Sequence, residues 1–385
     1  MMNIGTPRIY VDIPQYLVAT GQYDFDDWFS DEDLNGSNPE KVIGLNPSSQ
    51  SEFIAVSAGA LSGAGYWTFK FNFGSQFAPQ NSDGETNLYI AALGHNFASA
   101  GVLNYYGQWY NNEQDKPAWT GMQEILNDSN PVVYDGCSIK TYTSYATPYT
   151  HCRIHFRDDG LGNGLSEPVK LGSFSVGTYY DFPHSPDLNL TMTIENDGIT
   201  TQQTKGGATL TNARYTGAPK WGDLGCWELQ SSPPNYWNFN ANLGARAGRR
   251  SWNLTFSYLS SKQPLPINAL GSAVANNEDG SNANGYIQDD LDDSTFEIPD
   301  WWWSDSVGGI FGAQYSPLNV LNGEDFFSSV WNKTMGGHLP FIFQPNKDNA
   351  NPDQFAICRF DMNSLQVKQV AYNTYTISLK IRECW

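Results

Sequence analysis

Tyr375-Thr376-Ile377-Ser378-Leu379-Lys380-Ile381-Arg382 alternates apolar and polar side chains without a break, and this stretch decides the fold. A period of two places Tyr375, Ile377, Leu379 and Ile381 on one face of a strand and leaves the residues between them on a wet face. Working backwards, Gln354 to Phe360 starts another strand after a loop rich in Asn, Asp and Pro. Leu339-Pro340-Phe341-Ile342-Phe343 is an apolar run of strand length. Before it, Phe326, Phe327, Val330 and Trp331 recur at helical spacing and predict one apolar helix face. Asn322 is the expected N-cap, Asp325 supports the first turn, and Gly336-Gly337 can close the far end. Residues 318–385 therefore read as one unit: a packed helix, an apolar strand and two more strands.

The same alternation recurs upstream. Trp67, Phe69, Phe71 and Phe73 alternate with Thr68, Lys70 and Asn72. The run from Asn87 is nearly all apolar up to Gly94. Cys152, Ile154 and Phe156 alternate with His151, Arg153 and His155, and Leu171 to Val176 supplies another short strand. Short strands separated by Gly, Asn and Pro turns predict a β-sandwich over residues 51–177. Leu188, Leu190, Met192 and Ile194 alternate with polar residues in a further strand, and Asn196-Asp197-Gly198 is a hairpin signal. Residues 263–317 shift to Asn, Asp, Ser, Gly and Pro and end in Trp301-Trp302-Trp303, which reads as a long loop excursion. Residues 1–50 hold one short strand, Pro7 to Ile13, and an acidic loop from Asp24 to Asp33.

At 385 residues the chain is long enough for two or three cores. Charged residues are scarce, at 16%, and aromatic residues abundant, at 14%, as strands prefer. A formal charge of −19 excludes nucleic acid as the expected partner, because phosphates are held by basic patches. The one basic cluster, Arg246, Arg249 and Arg250, fits either an acidic neighbour in an assembly or a solvated turn. No stretch approaches the roughly 20 apolar residues of a membrane helix. Met1-Met2-Asn3-Ile4 has no basic start followed by an apolar run, so no secretory leader is expected and the chain reads as made in a cytoplasm. Cys137, Cys152, Cys226, Cys358 and Cys384 lack CxxC spacing and are expected to be reduced, mostly buried thiols.

Signatures of catalysis are missing. There is no Gly-x-Ser-x-Gly and no His-Glu-x-x-His. His151 and His155 fall ~13 Å apart along an extended strand, too far to share a metal. His95 and His184 sit beside turns, where a histidine more often satisfies backbone groups, and His338 follows the two glycines. Gly160, Gly162 and Gly164 lack the Lys-Ser or Lys-Thr of a phosphate loop. Asp26, Asp27, Asp289, Asp290, Asp292 and Asp293 lie in polar stretches without the burial that raises an acid's pKa, and the Asp-x-Asp-x-Asp-Gly spacing of a calcium loop is absent. No catalytic residue, metal ligand or cofactor is expected, and the chain does not read as an enzyme. Trp109 and Trp119, near Tyr105, Tyr106 and Tyr110, and the cluster Trp301, Trp302 and Trp303 are the candidates for stacking on sugars. An interface reading outweighs the sugar reading, since aromatic residues are enriched at interfaces too.

Three segments carry a resemblance. Ala247-Gly-Arg-Arg-Ser-Trp-Asn-Leu-Thr-Phe-Ser-Tyr258, followed by the helix and Gly336-Gly-His-Leu-Pro-Phe-Ile-Phe-Gln-Pro345, is similar to the belt domain of bacteriophage distal-tail and minor tail proteins. Tyr179-Tyr-Asp-Phe-Pro-His-Ser-Pro-Asp-Leu-Asn-Leu-Thr191, Thr204 to Leu210 and Lys220-Trp221-Gly222 resemble uncharacterised tail proteins of marine phages. Leu88 to Gly101 is similar to galactose-binding-like jelly rolls, over about 15 residues.

The resemblance implies a mainly β fold. A discontinuous belt domain with one packed helix would comprise residues 1–50, 178–262 and 318–385, with a jelly-roll-like β-sandwich inserted at 51–177. Its core would join Trp252, Leu254 and Phe256 to Phe341, Phe343, Tyr375, Ile377 and Leu379, packed on Phe326, Val330 and Trp331. The implied protein is a structural subunit of the virion tail, assembled in the host cytoplasm. It would form a homo-oligomeric ring, six-fold favoured and three-fold the alternative, between tail tube and tip or fibre proteins. The alternative is a carbohydrate-binding module for host surface glycans.

Overall fold

The computed structural model describes residues 5–21, 34–37, 39–47, 49–55, 69–72, 86–100, 104–110, 123–124, 136–144, 151–157, 168–195, 199–213, 248–260, 263–265, 325–350 and 354–384. The strands among them are β1 (Arg8–Asp12), β2 (Leu34–Ser37), β3 (Ser51–Ala55), β4 (Phe69–Asn72), β5 (Thr86–His95), β6 (Asn104–Tyr110), β7 (Gln123–Glu124), β8 (Gly136–Ser144), β9 (His151–Arg157) and β10 (Val169–Leu171). They continue with β11 (Ser173–Asp181), β12 (Thr191–Glu195), β13 (Ile199–Gln203), β14 (Thr209–Ala213), β15 (Arg249–Leu259), β16 (Phe341–Gln344), β17 (Ala356–Phe360), β18 (Val367–Ala371) and β19 (Thr374–Glu383). The fold is mainly β. Among the described residues, helix is confined to α1 (Ile13–Ala19), α2 (Phe97–Ala100), a 3-10 turn at Pro39–Val42 and a π-helical turn at Phe327–Trp331.

One antiparallel sheet dominates, in the order β12-β15-β19-β17-β16-β1-β11-β5-β8, with β18 also paired to β19. The strand read first from the sequence is its hub. β19 pairs with β15 along one side, while β18 and then β17 share its other side. Three smaller sheets accompany it: β10-β3-β2, β13-β14 and β4-β9-β6-β7.

Period-two alternation loads both faces of the middle strands. Ile9 and Val11 of β1, Phe341 and Phe343 of β16, and Ala356, Cys358 and Phe360 of β17 join one buried cluster. Tyr10, Ile342 and Ile357 of the same strands join a second cluster with Tyr89, Ala91, Leu93 and Cys137. A strand buried on both faces must read as a continuous apolar run, which is why Leu339 to Phe343 shows no alternation.

The sheet is open but deeply curled. β15 and β16 are separated by two strands, about 14 Å if flat, yet the Trp252 and Phe343 rings meet edge to face at 5.1 Å. Phe182, which follows β11, stacks on Phe256 of β15 at 4.1 Å. Residues 182–190 span the mouth of this curl: Phe182 N–H donates to the Pro7 carbonyl, and Asp187 N–H to that of Thr255.

The structure corrects the sequence reading at several points. The strands of the interval 51–177 are divided: β4-β9-β6-β7 is a sheet of its own, whereas β5 and β8 extend the main sheet beyond β11. The helix before β16 is shorter than its periodicity predicts. Asp325 caps it, with Oδ1 accepting from Ser328 N–H at 2.9 Å, and Asn322 lies outside the described residues. Asn332 N–H then reaches back five residues to Phe327, and Thr334 gives both its N–H and its hydroxyl to the Val330 carbonyl. Gly336 and Gly337, at φ +65° and +92°, end the segment as expected. The hairpin signal at Asn196-Asp197-Gly198 joins strands that do not pair with each other: β12 pairs β15, and β13 pairs β14. Cys137 is disulfide-bonded, against the expectation of five reduced thiols, and its partner lies outside the described side chains. Cys358 and Cys384 are free.

Candidate functional site

All eleven residues expected to form a belt core come together in one cluster. Trp252, Leu254, Phe256, Phe326, Val330, Phe341, Phe343, Tyr375, Ile377 and Leu379 are buried there, and Trp331 packs against it half-buried. They line the concave face of the curl, where Leu254 opposes Leu379 and Phe256 opposes Ile377 across the β15–β19 pair. An ion pair plugs the end of this face. Glu383 accepts from Arg250 Nε and from the Arg250 backbone N–H, both at 2.5 Å, and Arg250 Nη2 donates to the Phe355 carbonyl. Arg250 was expected in a solvated turn or against an acidic neighbour. Its partner is instead the second residue after Ile381 on the same strand, placed on the core face by alternation.

On the opposite face, Arg382 Nε and Nη2 both donate to Glu195 Oε2. Arg8 forks onto Asp181 and lies over the Tyr179 ring at 4.1 Å.

Several titratable groups are buried among the described residues. His95 is buried, stacks on Phe97 at 3.9 Å, and is pushed down to about 3 by desolvation. Its Nδ1 accepts from Phe97 N–H, so Nε2–H donates to Ser138 Oγ at 3.0 Å, the backbone-satisfying role expected from the sequence. His184 Nδ1 lies 2.8 Å from the Ser185 carbonyl. Asp12 ends β1, is wholly buried and is pushed up to about 7 by desolvation, with Gln15 Nε2 donating to its Oδ2. Close by, the Tyr89 hydroxyl meets Ser175 Oγ at 2.6 Å. Lys333 is fully buried and pushed down to about 8, also by desolvation, with Asp325 opposing the shift. Sequence reasoning missed both ions. Asp12 could have been found from its place between the apolar run of β1 and Ile13-Pro14, whereas nothing around Lys333 announces burial.

The described residues contain no group of three His, Cys, Asp or Glu placed to hold a metal. No helix among them is long and apolar enough to cross a membrane. Of the candidate stacking aromatics, Trp109 lies on β6, in a strand whose side chains are not described, and Trp119, Trp301, Trp302 and Trp303 lie outside the described residues.

The surface chemistry is concentrated at one end of the main sheet. β12 pairs β15 on one side, and among the described residues its other edge is unpaired; the same holds for β8 at the far end. Beyond β12 the β13–β14 ribbon stands with every described side chain from Thr200 to Asn212 exposed. Its turn is closed by Thr204, whose N–H donates to the Ala208 carbonyl and whose Oγ1 accepts from Ala208 N–H. Tyr258 and Tyr372 are also strongly exposed, each at a sharp backbone position: Tyr258 has φ +62° at the β15 bulge, and Tyr372 precedes Asn373 at φ +49°.

No family model matches the chain, and no curated protein or solved structure matches it significantly.

Proposed function

We propose that this protein is a structural subunit of a bacteriophage tail that associates with copies of itself into a ring at the distal end of the tail, joining the tail tube to tip or fibre proteins. One observation carries the reading: the large antiparallel sheet ends in two strands, β12 and β8, with no partner on their outer edges among the described residues. Unpaired edges are a liability in a monomer, and a closed ring removes them. The path contains nine alternating strands, so its first and last run in the same direction. Head-to-tail joining of successive copies therefore makes a parallel pair at each joint.

In this reading the belt core on the concave face is the rigid frame of the ring. The β4-β9-β6-β7 sheet is the module that projects to receive a fibre. The absence of the expected catalytic signatures from the sequence is compatible with a mechanical role. Native mass spectrometry of the purified chain, with negative-stain microscopy of the same sample, tests the reading. A closed ring is the expected result and gives the symmetry; a strict monomer up to the solubility limit rejects it.

A further inference from the structure

β12 carries the apolar face of the concave core out into solvent. Met192 lies directly opposite Trp252 and Ile194 opposite Arg250, so all four side chains share one face of the sheet. Trp252 and Arg250 are buried, whereas Met192 and Ile194 are each 54% exposed. The core thus continues one strand further than the described residues pair with it. The ribbon that follows is as unusual. An isolated two-stranded hairpin is marginal in water, because it has no second layer to pack on, and here both faces of β13–β14 are wet.

Charge identifies the occupant. The chain carries −19 overall, so two copies repel wherever acidic surfaces meet. From Ile199 to Ala213 the ribbon has one lysine, Lys205, and no acid. In β12 the only charge is Glu195, already held by Arg382 and within reach of the Ser251 hydroxyl. This is a surface on which a like-charged copy can settle without repulsion, with a backbone edge unpaired among the described residues and an apolar face to extend.

We infer that the β12 edge and the β13–β14 ribbon form one contact surface for a second copy of this chain. The incoming strand covers Met192 and Ile194, and the ribbon lies on the neighbour as a clasp. The inference rests on the ring reading and adds where the copies meet.

Two variants test it by native mass spectrometry and light scattering. One is Met192→Asp with Ile194→Asp. The other replaces residues 199–213 with a short Asn-Gly turn. Both should dissociate the wild-type oligomer to monomer, while thermal unfolding of the double variant stays within a few degrees of wild type, because both side chains are already half-exposed. An unchanged oligomer in the double variant and in the ribbon replacement overturns this contact and leaves the ring reading standing. A wild-type chain that is monomeric at all concentrations overturns both.

Discussion

Asp12 and Lys333 are opposite ions held in the interior at 2% and 0% exposure, and each has a polar atom without a hydrogen bond. Their titrations give stability opposite dependences on pH. Asp12 is raised from its ordinary carboxyl range to about 7, so between about pH 4 and pH 7 the native state holds a proton that the unfolded chain has lost. Stability therefore falls as pH rises through that window, by roughly 4 kcal/mol in all. Asp12→Asn keeps an oxygen for Gln15 and removes the ion. Urea unfolding should find it up to roughly 4 kcal/mol more stable than wild type at pH 8 and nearly equal at pH 4. A gain that persists unchanged at pH 4 would contradict this assignment. For Lys333 the unfolded chain holds the extra proton, between about pH 8 and the ordinary lysine value of 10.5. Stability rises with pH in that range. Lys333→Met should gain about 3 kcal/mol at pH 7, a difference that shrinks as pH rises from about 8 and is nearly gone above 10.5.

The elements were legible where local pattern and burial agree. β19 could be read directly, because one face is apolar and the alternation survives along its length, whereas in β15 it holds from Trp252 to Phe256 and breaks at the Tyr258 bulge. β12 alternates just as cleanly, yet Met192 and Ile194 lie at an edge, and alternation alone does not distinguish a core face from a face awaiting a partner. The segment before β16 was misjudged in length. Its helical spacing is real, but the Asp325 cap sets where the helix begins and the wide bond from Asn332 N–H to the Phe327 carbonyl sets how it continues. The join of β15 to β19 also depends on a pair that no pattern announces, Arg250 with Glu383, 133 residues apart. Removing one partner strands a buried charge. Arg250→Met or Glu383→Gln alone should each cost about 3–5 kcal/mol, and Arg250→Met with Glu383→Leu clearly less than their sum. Additive losses in chemical unfolding would show that the two side chains do not act as a pair.

At the scale of the whole molecule, sequence reasoning recovered a mainly β fold and residues that share one buried cluster, but not Ile9, Val11, Phe182 or Phe360 of that cluster, nor the path of the sheet. Strand pairing over long sequence separations leaves no local mark. The apolar run of β5 fits a buried sandwich strand as well as an inner strand of the main sheet, and only the pairing with β11 distinguishes the two. This changes what excising residues 51–177 should do. An inserted module would come away and leave a folded remainder. Here the cut removes β5 and β8, and with them Tyr89, Ala91, Leu93 and Cys137 from the second buried cluster. Tyr10 of β1, Ile342 of β16 and Ile357 of β17 would then face water on a sheet whose other face is already committed to the first cluster. Several large apolar side chains at about 1.5–3 kcal/mol each exceed the margin by which most domains are stable. The shortened chain should therefore aggregate, or persist only as a compact state that binds hydrophobic dyes and lacks near-ultraviolet circular dichroism. A soluble product with native aromatic dichroism and cooperative unfolding would instead mean that β1, β16 and β17 can close their second face without β5, β8 and the first half of β11, Ser173 to Gly177, which the cut also removes.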